Sequence, residues 1–147
     1  MDNEIMLTKL IESFQLFVEF NEKDFNDRYE DLNINDVHAI DYIGRTEYAN
    51  MTKITEQLKV TKGAVTKITK KLMNNEYISL YQKKENKKEK YFCLTKKGKE
   101  LFIKHETIHM EAIRRDVKIF EYFNECEKEV IFRFLDILKK DIEEKLK

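Results

Sequence analysis

Apolar side chains recur at Ile5, Leu7, Leu10, Ile11, Phe14, Phe17, Val18 and Phe25, a helical spacing with one apolar face over residues 4–27. Val37, Ile40, Tyr42 and Ile43 predict a second helix, capped by Asn33 or Asn35 and ending near Gly44. Ile54 and Leu58 give a third, short helix starting at Thr52, with Glu56 as a capping partner one residue beyond the ideal spacing. Lys59-Val60 reads as a turn. Thr61 then caps a fourth helix whose inner face is Val65, Ile68, Leu72 and Met73. Two short strands, 77–81 and 91–94, flank the polar stretch QKKENKKEK, which reads as a hairpin tip. Thr95 caps the next long helix. A last helix over 125–145, capped by Asn124, carries Val130, Ile131, Phe134, Leu135, Leu138 and Ile142. The fold class expected is mainly α with a small β-wing.

Composition narrows the choice. A chain of 147 residues suits one compact domain or a small domain with a dimerisation extension. No Pro and only 3 Gly favour long helices over sandwiches and barrels. No apolar run approaches the roughly 20 residues that cross a bilayer. The N-terminus lacks the pattern of a signal peptide, so a cytoplasmic protein is expected. Cys93 and Cys126 are too far apart in sequence for a C-x-x-C metal pair and are expected as small buried hydrophobes.

Charge changes the picture more. The net charge is zero, yet residues 52–99 hold 14 lysines against 4 glutamates, a net of +10 that leaves −10 on the rest. A basic middle on an acidic scaffold fits a polyanion-binding module. Two short helices, a tight turn and a basic hairpin make a winged helix–turn–helix. Its second helix is expected in the major groove of double-stranded DNA, with Lys62, Gly63, Ala64 and Thr66 near base edges. Gly63 and Ala64 allow close approach. Thr61, Thr66 and Thr69 can donate to bases or phosphates, and Lys67, Lys70 and Lys71 are expected on phosphates. Lys84, Lys87, Lys88 and Lys90 suit a wing reaching the adjacent groove or backbone.

The stretch ITEQLKVTKGAVTKITKKLMNNEYISLYQ, followed by YFCLTKKGKELF, resembles the DNA-binding core of the MarR family of bacterial regulators. Val60-Thr61-Lys62-Gly63-Ala64-Val65-Thr66-Lys67-Ile68 matches the family's capped recognition helix, and LTKKG matches the motif that opens its long helix. Lys88 stands where the wing's groove-reading Arg usually lies. The resemblance implies a single MarR-type domain over 1–147, with a DNA-binding lobe at 35–99. It also implies a homodimer held by 1–34 and 100–147, to which Phe14, Phe17, Phe132, Phe134 and Leu138 contribute. The operator would be duplex DNA, with no membrane partner.

Three histidines add candidate chemistry. His105 and His109 are four apart on one helix and share a face, a spacing that can hold one ion; His38 lies at the start of the second helix. Each could equally be an ordinary surface polar residue. The resemblance extends to the family's zinc-sensing AdcR/ZitR-like branch, which implies a Zn2+ site of Glu22, His38, His105 and His109, with Glu19 or Asp24 as alternative carboxylates. One site per subunit is implied. The branch's accessory site lacks its Cys here, and Arg28, Tyr29 and Glu30 occupy that region. Zn2+ would then act as corepressor of metal-uptake genes. The competing reading is a repressor released by a small aromatic or lipophilic ligand near Tyr42, Phe92, Phe102 and Met110. His105-Glu106-Thr107-Ile108-His109 also spells the H-E-x-x-H frame of zinc peptidases. A chain without a large cleft-forming domain is nevertheless not expected to be an enzyme.

Overall fold

A computed structural model describes residues 1–147. The elements are α1 (Asn3–Arg28), α2 (Ile34–Arg45), α3 (Met51–Leu58), α4 (Lys62–Asn74), β1 (Ile78–Lys83), β2 (Asn86–Leu94), α5 (Lys96–Asp116), a 3-10 helix (Val117–Tyr122) and α6 (Glu125–Lys145). The chain divides into two compact units, residues 1–105 and 106–147.

In the first unit, α2, α3, α4 and the hairpin enclose a core of Val37, Ala39, Ile40, Ile43, Ile54, Val65, Ile68, Leu72, Ile78 and Phe92. The helix starts follow from side-chain caps. Asn33 forms a reciprocal capping box with Asp36. The α3 start differs from expectation: Asn50, not Thr52, is the cap, its side chain accepting from the Lys53 amide. Thr52 is already helical, because the amide oxygen two residues earlier reaches the free N–H first. Between α3 and α4, Lys59 takes the left-handed conformation (φ 53°) and its N–H closes on Thr55. Thr61 then caps α4 through the Ala64 amide.

β1 and β2 pair antiparallel with Ile78 opposite Leu94 and Leu80 opposite Phe92; the register shifts between Tyr81 and Lys83. The hairpin tip is smaller than the sequence suggested. Pairing continues to Lys83 and Asn86, so Lys87, Lys88 and Lys90 lie on β2 and the turn is Lys84-Glu85. Polar residues sit in this ladder because both faces of a projecting hairpin meet water. Phe92 also donates its N–H to the Ala49 carbonyl at 2.8 Å, which fixes the hairpin root beside α2 and α3.

Thr95 accepts from the Gly98 amide at 3.1 Å and so caps α5. A Cβ on Gly98 would lie 2.0 Å from the Tyr77 carbonyl oxygen, so the LTKKG glycine is required by backbone approach. The second unit has α6 starting at a capping box of Asn124 and Glu127. It contains no buried residue. Cys126, expected as buried, is exposed in the first turn of α6, and Cys93 is half-buried.

Candidate nucleic-acid interface

Helix α4 carries two unlike faces because Val65, Ile68 and Leu72 fall on the 3.6-residue core stripe. Lys62, Gly63, Thr66, Lys67 and Lys70 remain exposed, Thr61 is exposed at the cap, and Ala64 is half-buried. A Cβ on Gly63 would meet nothing within 4 Å. No internal contact therefore demands glycine there. The Thr66 hydroxyl donates to the Lys62 carbonyl at 2.9 Å, leaving its oxygen outward with acceptor capacity.

Two residues leave the expected DNA set. Thr69 is buried at 3% exposure, and its hydroxyl is held by the Val65 carbonyl at 2.9 Å, so it belongs to the core. It lies one turn from Val65 and beside Ile68, on the core side of the same stripe. The Lys71 ammonium sits 2.5 Å from Asp36 Oδ2 instead of pointing to solvent. Sequence reasoning missed this because an Asp 35 positions upstream leaves no local signal.

The wing is shaped by aromatic packing. Tyr48, Tyr81 and Tyr91 cluster with ring centroids 5.3 to 6.5 Å apart, and the Lys83 ammonium lies 3.3 Å from the Tyr48 ring centre. Asn50 donates to Glu89 at 2.9 Å. Lys84, Lys87, Lys88 and Lys90 are all exposed. Strand alternation places Lys88 and Lys90 on one face of β2 and Lys87 on the other.

The histidines have different surroundings. Tyr29 is buried, and its hydroxyl and His105 Nδ1 share a 2.8 Å hydrogen bond. Burial pushes the Tyr29 phenol above its ordinary value; nearby Arg28 opposes this and Asp24 adds to it. His38 and His109 are exposed on α2 and α5. Glu22 lines a groove of about 530 Å3 with Phe17, Phe25, Asn33 and Ile34, so it does lie beside the start of α2. Asp24 is paired with Arg28 at 3.1 Å. No three His, Cys, Asp or Glu side chains are grouped so as to hold a metal ion. Separately, a pocket of about 670 Å3 opens between the end of α2, the hairpin root and α5. Ile43, Phe92, Leu94 and Phe102 give it apolar walls, with Arg45 and Lys99 at its edge.

The MarR family pattern matches residues 32–90, which contain α2 to α4 and most of the hairpin. The HTH-type transcriptional regulator PchR of Bacillus subtilis (strain 168) is 36% identical over 111 residues, 76% of this chain and 66% of PchR. The chain belongs to the MarR family. The transcriptional regulator ZitR of Lactococcus lactis subsp. cremoris (strain MG1363) is 28% identical over 95 residues, 65% of this chain and 66% of ZitR. The matched stretch thus spans just under two thirds of these curated relatives. Among solved structures, Streptococcus pneumoniae FabT in complex with DNA superposes with a TM-score of 0.75 and 26% identity, covering 99% of this chain and 100% of that one. The winged-helix fold is that of the family, and the curated relatives are regulators rather than enzymes. No helix is long and apolar enough to cross a membrane.

Proposed function

We propose that this chain is a homodimeric transcriptional regulator that reads duplex DNA with the N-terminal half of α4 and steadies the complex with its wing. The observation that carries this reading is the exposed α4 face of Thr61, Lys62, Gly63, Thr66, Lys67 and Lys70, with half-buried Ala64 among them and the wing lysines on the same unit. Small side chains at the helix start admit a base edge, and the lysines neutralise phosphate. The likeness to the DNA-bound FabT structure supports the same docking mode. Such a protein works in the cytoplasm, as a repressor where its operator overlaps a promoter. Fluorescence anisotropy on an operator selected from random duplexes tests it. Raising salt from about 50 to 200 mM is expected to weaken binding about 10^3-fold or more, as for about six or more neutralised phosphates. Salt-independent binding, or none, overturns the reading.

For the effector, Zn2+ corepression through Glu22, His38, His105 and His109 rests on the His105–His109 spacing and the likeness to ZitR. His105 hydrogen-bonded through Nδ1 suits a ligand imidazole whose other nitrogen is oriented by that bond. The direct test is Zn2+ affinity by competition with a chromogenic chelator, for the parent chain, His105→Ala and His109→Ala. Binding of one ion per chain, weakened at least tenfold in both variants, supports the zinc reading; unaltered binding in both overturns the assignment.

The pocket of about 670 Å3 favours a second reading. Its apolar walls and the Arg45 and Lys99 cations suit an aromatic or fatty acid anion. The Arg45 guanidinium already lies over the Phe102 ring at 5.1 Å. Release of DNA by salicylate in metal-free protein, reduced by Phe102→Ala, is the expected sign; unchanged DNA binding removes this reading.

A further inference from the structure

Asp36 is fully buried, at 0% exposure, in the first turn of α2. Its Oδ2 accepts from the Asn33 amide at 2.9 Å and from Lys71 Nζ at 2.5 Å. Its Oδ1 is buried with no hydrogen-bond partner. Lys71 comes from the C-terminal half of α4, 35 residues away, and is part-exposed. The pair therefore differs from Asp24–Arg28 and Asp41–Arg45, which join neighbouring turns of one helix. A buried carboxylate with one unsatisfied oxygen is costly to leave without its counter-charge, so the ammonium is held where the carboxylate lies. Capping chemistry fixes that carboxylate in turn, because Asp36 closes the α2 capping box.

From this geometry we infer that Asp36 and Lys71 are a positioning pair, setting the angle at which α4 projects from α2 and hence the sequence discrimination of its N-terminal end. Lys71 would not neutralise a DNA phosphate. The inference rests on the DNA-binding reading above. A lysine already paired with a carboxylate adds no net positive charge and releases no DNA counterion when the complex forms. Its neighbour Lys70 is exposed. Adjacent residues of one helix thus have opposite jobs: Lys70 supplies sequence-independent attraction, and Lys71 supplies orientation.

The experiment measures binding of the full chain to the selected operator and to a scrambled duplex across a salt series. Lys70→Met is expected to weaken both duplexes and to lower the log–log salt slope by about 0.9 for each phosphate no longer neutralised. Lys71→Met is expected to leave the slope unchanged and weaken the operator complex about tenfold, the scale of one misplaced base-edge hydrogen-bond pair, with little change on the scrambled duplex. Lys71→Arg, which can still reach the carboxylate, restores discrimination. The double variant Asp36→Asn/Lys71→Met removes both charges, so it is expected to fold and still discriminate poorly. A slope lowered by Lys71→Met as by Lys70→Met makes Lys71 a phosphate ligand and overturns the inference alone. Operator binding by Lys71→Met equal to the parent overturns it too. A parent chain with no salt-dependent DNA binding overturns the DNA reading, and the inference with it.

Discussion

Tyr29 shows how much one side chain can join. It ends α1, packs its ring against Phe25 at 4.6 Å between centroids, and shares a hydrogen bond with His105 on α5. Because burial raises its phenol pKa, the folded chain keeps the proton after the unfolded chain has begun to lose it at the ordinary value of 10.0. The stability this contributes is whole below pH 10.0 and is lost as pH rises through the folded value. Tyr29→Phe is expected to cost about 1 kcal/mol at neutral pH, where the hydrogen bond is removed. The deficit should shrink above about pH 10, as the parent loses the phenol's contribution. Urea unfolding of both chains from about pH 8 to 11 checks this; parallel curves would contradict it. Nothing in the sequence marks Tyr29 for this role. It sits in a polar stretch between helices, and its partner His105 lies 76 residues away on α5.

At the level of elements, α4 is the plainest case of a helix shaped for something outside its own chain. A buried-side glycine such as Gly98 is explained by the Tyr77 carbonyl it touches, whereas Gly63 faces open space. Glycine inside a helix costs roughly 0.5–1 kcal/mol relative to alanine. Gly63→Ala is therefore expected to raise stability by about that amount, read by thermal or urea unfolding. The added methyl is also expected to weaken operator binding about tenfold if the backbone approaches a base edge there. A stabilised variant that binds as tightly as the parent would remove Gly63 from the interface. Helix spans and caps were largely legible, because apolar periodicity and Asn or Thr before it are local signals. The wing was less so. Lysine and asparagine runs read as a loop, yet strand pairing continued through them, because a two-residue turn and the hydrogen bond at the root hold the ladder whatever the solvent-facing residues are.

For the whole molecule, two long helices leave apolar side chains exposed to solvent. Helix α1 has 26 residues and α6 has 21, and neither buries one. Phe17 is 60% exposed and Phe132 74% exposed, alongside Ile5, Leu7, Phe14, Phe134 and Ile137. Apolar surface on this scale is relieved by association, and a two-fold dimer is the commonest solution. Phe132→Glu and Phe17→Glu are each expected to move the mass by light scattering from twice 17.8 kDa toward 17.8 kDa. The fall in operator binding should be larger than for any single lysine, since one lobe then reads one half-site. A dimer that persists in the double variant would place the interface elsewhere.

The sequence alone carried the element order, the basic lobe on an acidic frame and the exposed α4 face, because periodicity, capping and charge are written in neighbouring residues. It also led to the four metal-ligand candidates, of which only His105 and His109 are linked by local spacing. Tertiary packing alone made Thr69 core, paired Lys71 with Asp36 and brought Tyr29 to His105. Those outcomes depend on which groups meet across long stretches of chain, where burial, not sequence distance, sets which charge must find a partner.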